Sequence, residues 1–214
     1  MVAACKDIDS VWVWFYKEVA FTMSKKLKRF YVITLAIICV AIVIAFYRGE
    51  NSEKLAALIR DNDAVGVSKM IASNPKLVNA NLDSRSKLKP LDLAASLGRE
   101  TICSNLVASG ADVNSKDVVG ESPLYFALTC DNSNLLVMFL KQGADVSLAN
   151  IDGNTALHWA VGVRDTNAVI ILLQHGADPK RMNRFGQTPL DIAKALKEAD
   201  PNLVKILAEA TSKS

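Results

Sequence analysis

Apolar residues follow two regimes along the chain. Residues 30–47 read FYVITLAIICVAIVIAFY, eighteen positions without a charge, a proline or a glycine. At about 1.5 Å of rise per residue such a helix covers roughly 27 Å, close to the hydrocarbon thickness of a bilayer. Aromatic residues sit at both ends, Phe30 and Tyr31, then Phe46 and Tyr47, as they do at membrane interfaces. A helix apolar on every face does not suit a globular surface, so the pattern predicts one transmembrane helix over 30–47. Beyond it the apolar positions become periodic. Pro90-Leu91, Pro123-Leu124, Ala156-Leu157 and Pro189-Leu190 follow one another at intervals of 33 residues. Gly110-Ala111-Asp112, Gly143-Ala144-Asp145 and Gly176-Ala177-Asp178 keep the same interval, and so do Gly120, Gly153 and Gly186. Three markers in one register predict a stacked repeat.

These residues resemble the ankyrin repeat, whose pattern runs G-x-TPLH-x-AA…V-x-LL-x-x-GAD-V-N. The resemblance implies an all-α repeat solenoid of about five helix-turn-helix units, joined by hairpin loops, after the single N-terminal membrane helix. The units fall at about 52–83, 84–116, 117–149, 150–182 and 183–214. Thr155 and Thr188 stand where the family's threonine caps the first helix, and Pro90, Pro123 and Pro189 where proline opens it, a place whose N–H has no helical partner. Leu106-Val107, Phe139-Leu140 and Leu172-Leu173 stripe the second helices. The glycine after each stripe ends its helix in a left-handed conformation. The first unit is degenerate, with Leu58-Ile59 and Met70-Ile71 in the helix positions, Asn74 in place of glycine and a longer loop, PKLVNAN. The last turns charged on its outer side at Lys194, Lys197, Glu198, Lys205 and Glu209, as an end repeat facing water must. Arg164 stands where the family has glycine, Ala156 where it has proline, and Lys87 and Lys89 replace a hairpin glycine and threonine.

Charge then gives the membrane helix a direction. Before Arg48 six basic residues face three acidic ones, and from Arg48 onward nineteen balance nineteen. Lys25, Lys26, Lys28 and Arg29 directly precede the apolar run. The positive-inside bias therefore predicts a cytoplasmic segment 1–29, a signal-anchor over 30–47, and the domain 48–214 across a bacterial inner membrane, in the periplasm. Val43-Ile44-Ala45 is the nearest approach to a cleavage site, and cleavage would leave a periplasmic domain. Met23 opens MSKKLKRF, a complete basic leader, so residues 1–22 are read as a start-site extension or a stretch lying on the cytoplasmic face.

Enzyme chemistry finds no footing. A neutral domain without a basic stripe excludes a nucleic-acid footprint. No cluster of Cys and His has metal-ligand spacing, no G-x-S-x-G elbow or phosphate-cradling loop is present, and no cofactor or small-molecule substrate is expected. The two histidines lie at unrelated repeat positions. The resemblance makes His158 a structural residue that hydrogen-bonds backbone between adjacent repeats, with Asp92, Tyr125 and Asp191 at the equivalent places, and leaves His175 exposed. Cys103 and Cys130 fall at different repeat positions, which predicts two thiols rather than one bridge.

The expected function is binding. Arrays of this kind bind proteins through a concave face of hairpin tips and first helices. Here those positions hold Arg85, Leu88, Val118, Val119, Glu121, Ile151, Asp152, Asn154, Arg184 and Phe185 at the tips. Tyr125, Cys130, Trp159 and Val163 lie on the first helices. Val118, Val119, Ile151 and Phe185 are apolar where a merely soluble array would be polar, as at a protein interface. A membrane-anchored periplasmic array also resembles ankyrin-repeat immunity proteins that neutralise phospholipase effectors of type VI secretion. That resemblance implies a secreted lipase toxin as partner, occluded by the concave face. The alternatives are a periplasmic scaffold supporting an envelope enzyme, as in peroxide defence, and a cytoplasmic adaptor if the topology is reversed.

Overall fold

The computed structural model describes residues 37–38, 49–83, 85–130, 132–196 and 200–213. The chain divides into two units, 1–49 and 50–214. Of the predicted membrane segment 30–47 only Ile37 and Ile38 are described, both helical and exposed; the rest of it and the segment 1–29 lie outside the described residues. Among the described residues no helix is long and apolar enough to cross a membrane.

Helices are the regular elements of the described part of the second unit. Residues 50–60 form α1, followed by α2 (Ala64–Ser73) and a 3-10 turn (Pro75–Asn79). Four helix pairs come next: α3 (Pro90–Ser96) with α4 (Glu100–Ala108), α5 (Pro123–Thr129) with α6 (Ser133–Lys141), α7 (Ala156–Gly162) with α8 (Thr166–Gln174), and α9 (Pro189–Ala195) with α10 (Pro201–Lys213). No strand occurs among the described residues; one isolated antiparallel bridge joins Ala149 to Thr155.

The period of 33 becomes packing. First helices stack α3 on α5, α5 on α7 and α7 on α9, while in the second row α2 packs on α4, α6 on α8 and α8 on α10. Each first helix puts the same positions inside: Leu91, Leu124 and Leu157 are buried, and Ala94, Ala127, Ala160 and Ala193 form a row of small residues between neighbours. The second helices fill the core with Leu106, Phe139 and Leu172, none exposed to solvent. A fully buried side chain of this kind contributes about 1.5–3 kcal/mol. Since no helix pair covers its own apolar face alone, the stack is the folding unit.

Helix ends explain the turn residues. Asp63, Asn132 and Asp165 cap α2, α6 and α8 by accepting the amides of Gly66, Leu135 and Ala168, satisfying first-turn donors that have no helical partner. Thr188 caps α9 by accepting the Asp191 amide at 3.2 Å, and Asp191 Oδ2 in turn accepts the Thr188 amide at 2.9 Å. Gly110, Gly143 and Gly176 follow the second helices at φ 85–89°. Two replacements flagged in the sequence keep the glycine conformation nonetheless. Lys87 has φ +56° where Gly120, Gly153 and Gly186 have φ 72–81°, and Arg164 has φ +62° where Gly98 has φ +64°.

A candidate partner-binding face

The hairpins are built alike from one side chain each. Asp117 Oδ1 accepts the amides of Val119 and Glu121, Asn150 Oδ1 those of Asp152 and Asn154, and Asn183 Oδ1 those of Phe185 and Gln187. These Asx turns project the tip residues away from the core. Neighbouring tips are then tied through backbone: Val118 N donates to Ser86 O at 3.0 Å, Ile151 N to Val119 O at 2.9 Å, and Arg184 N to Asp152 O at 2.9 Å. The ladder holds Arg85, Val118, Ile151 and Arg184 in one row, and each is exposed.

Of the apolar tip residues, Phe185 is the most open at 68% exposure, followed by Ile151 at 61% and Val118 at 47%. Leu88, Val119, Glu121, Asp152 and Asn154 are half-buried between them. Asp152 Oδ1 lies 3.4 Å from Arg184 Nη1, a solvated pair worth no more than a few tenths of a kcal/mol. Met182, also exposed, extends the apolar surface toward the last hairpin. It escaped the sequence reading because it stands one residue ahead of the tip motif.

On the first helices the expectation needs one correction. Tyr125 is buried, 8% exposed, and so offers no surface to a partner. Its ring stacks on Trp159 with centroids 4.6 Å apart and meets Phe126 edge-on at 6.3 Å. The hydroxyl hydrogen-bonds Glu121, and burial raises the pKa of that carboxyl, with Asp117 adding to it. Tyr125 is therefore a strut between repeats. Trp159 is half-buried, and its Nε1 has no acceptor among the described residues. Val163 is exposed, and Cys130 is half-buried with Sγ 3.3 Å from Ala95 O and 3.2 Å from Ala127 O. Cys103 is fully buried, its thiol pushed up to about 12 by desolvation. Both are thiols.

A cleft of about 570 Å³ opens where the first helices end, lined among others by Leu128, Thr129, Trp159, Val163 and Arg164. Among the described residues no group of His, Cys, Asp and Glu could hold a metal ion.

His158 has a complete structural explanation. The Thr155 amide can only donate, so Nδ1, at 3.2 Å from it, is the acceptor. The Thr155 hydroxyl also meets Nδ1, at 2.9 Å. The proton is therefore on Nε2, which donates to Gln187 O of the next repeat at 3.2 Å. The ring is 2% exposed, and burial lowers its pKa. It is a neutral bridge between repeats, as the resemblance implied.

A model of three ankyrin repeats matches residues 124–213, and a single ankyrin-repeat model matches residues 89–118. Together they cover more than half of the chain, which belongs to the ankyrin-repeat family. Such repeats form protein-binding modules that are generally non-catalytic. No curated protein matches the chain.

Proposed function

We propose that the ankyrin domain captures a partner protein on the face formed by its hairpin tips and first-helix ends. The observation that carries this reading is the row of exposed apolar tips, Val118, Ile151 and Phe185, set in register by the backbone ladder. Among the described residues none of the three contributes to the buried core of the stack, so their apolar character serves no packing there, and burying them against a partner is favourable.

The apolar run 30–47 and its cationic flank support a single-pass anchor in a bacterial inner membrane, with the domain periplasmic. On that placement, and on the resemblance to ankyrin-repeat immunity proteins, the partner is a secreted lipase or phospholipase toxin whose active-site surface is occluded. The test is a pull-down from envelope extract with the chain as bait, beside a bait carrying Val118→Asp, Ile151→Asp and Phe185→Asp. The substituted side chains are exposed, so the variant keeps its melting profile. Retention of a lipase by the first bait and its loss from the second is the expected result. A resident envelope enzyme in its place would replace immunity with a scaffold role, and a cytoplasmic protein would reverse the topology.

A further inference from the structure

Two residues at the end of α7 depart from the backbone preferences of their own positions, in opposite directions. Gly162 closes the helix, where glycine costs up to about 1 kcal/mol relative to alanine. A Cβ there would meet nothing within 4 Å, so no packing demand within the chain accounts for its size. Arg164 lies two residues on with φ +62°, and the position two repeats earlier is Gly98 at φ +64°. A non-glycine residue held there stores on the order of 1–3 kcal/mol, and such strain is found at sites with another use. Glycine stands where a side chain would be cheaper, and arginine stands where glycine would be.

Arg164 lines the cleft described above, as does Val163, which Gly162 directly precedes in the chain. Leu128, Trp159 and Val163 supply an apolar side. Asp165, the acid of the cleft, is occupied: its Oδ1 accepts the Ala168 amide at 2.9 Å. Asp200, near the same turn, receives the Thr166 hydroxyl at 3.5 Å. Arg164 is exposed and makes no ion pair among the described residues. The Asp165 carboxylate faces the N-terminus of α8, whose amide it accepts and whose partial positive charge it offsets, which leaves the Arg164 charge to one further carboxylate, held by a guanidinium through two parallel hydrogen bonds.

We infer that this cleft receives an acidic side chain of the protein partner, Asp or Glu. Its carbon stem lies on Trp159 and Val163, and its carboxylate pairs with the guanidinium of Arg164. The inference deepens the protein-binding reading above and rests on it. The cleft lies beyond the tips, so the two can fail separately.

The probe is a phage-displayed library of random dodecapeptides, panned on the full chain in detergent micelles and counter-selected on micelles alone. Enriched peptides are expected to carry Asp or Glu beside an apolar residue. Arg164→Gly removes the guanidinium and relaxes the backbone, so it should weaken binding of those peptides at least tenfold without lowering the melting temperature. Exchanging the peptide's acid for its amide should cost as much, and the two changes together no more than either alone. Gly162→Leu, which adds bulk directly before Val163, should also weaken binding. Peptides without an acidic preference, or with equal affinity for Arg164→Gly, would overturn the inference. If such peptides were lost on the Val118, Ile151 and Phe185 variant alone, the tip face would stand and the cleft would not. Peptides indifferent to both sets of substitutions would overturn both.

Discussion

Asp92 and His158 occupy the same place in two repeats and respond to pH in opposite senses. His158 accepts the Thr155 amide and donates to Gln187 O, so protonation would break its acceptor bond and bury a charge. Its folded pKa lies below the ordinary 6.5. The folded state therefore binds fewer protons than the unfolded one as pH falls. The stability His158 contributes is complete above about 6.5 and is lost as pH drops through the folded pKa. Asp92 is wholly buried; Oδ2 accepts the Lys89 amide at 2.9 Å, while Oδ1 has no partner among the described residues. Burial pushes its carboxyl up from 3.8 to about 7. Here the folded state binds more protons, so the contribution is complete below about 3.8 and is lost as pH rises through about 7. Asp92→Asn keeps an acceptor for the Lys89 amide and cannot ionise. Its melting temperature relative to the parent should rise between pH 5 and pH 9. His158→Asn should lower the melting temperature at pH 8 and flatten the loss between pH 7 and pH 5. A constant offset across pH in thermal melts of either variant would contradict the assignment. The polar character of these positions was legible from the repeat alignment. The orphaned oxygen was not, because whether a short carboxylate reaches the next repeat depends on the spacing of packed helices.

At the scale of the element, the hairpin glycines look equivalent in the sequence and are not equivalent in the stack. A Cβ on Gly153 would come within 2.9 Å of Arg184 N, and one on Gly120 within 3.0 Å of Asn150 Cα, both backbone atoms of the following hairpin. Among the described residues no hairpin follows Gly186, and its Cβ would meet nothing within 4 Å. All three have positive φ, so each alanine bears the backbone penalty, about 1–2 kcal/mol. Gly120→Ala and Gly153→Ala must also push adjacent tips apart and break the ladder. They should lose on the order of 2–4 kcal/mol, against about 1–2 for Gly186→Ala. Urea denaturation of the three variants measures this, and equal losses would show that the tips are not in register. Lys87 bears the same backbone penalty with a side chain in place, and Lys87→Gly should recover roughly 0.5–1 kcal/mol of it.

The whole domain derives its stability from contacts between neighbours. Among the described residues, helices α5 and α7 each have a first helix on both sides, whereas α9 has one on a single side. Opening should therefore begin at the ends. Native-state hydrogen exchange should give the α5 and α7 amides the highest opening free energies and those of α9 and α10 lower ones. Uniform protection would mean that the stack melts as a single unit. Leu157→Ala, in the central layer, should cost about 2–5 kcal/mol and lower protection in the repeats on both sides.

The repeat, its period and its helix pairs were determined by the sequence alone, because a stacked array repeats one local solution and writes it into the chain at a fixed interval. The role of His158 was implied by the resemblance to the ankyrin repeat. Which residues reach solvent was decided only by tertiary structure. Tyr125 stands on a first helix beside the tip positions, yet it is buried because Trp159 of the next repeat covers its ring. Arg164 reads as a departure from a pattern, and only the folded backbone shows that it keeps the glycine conformation at the mouth of a cleft. Exposure depends on what the neighbouring repeat places alongside, and that lies 33 residues away in the chain and one packed layer away in space.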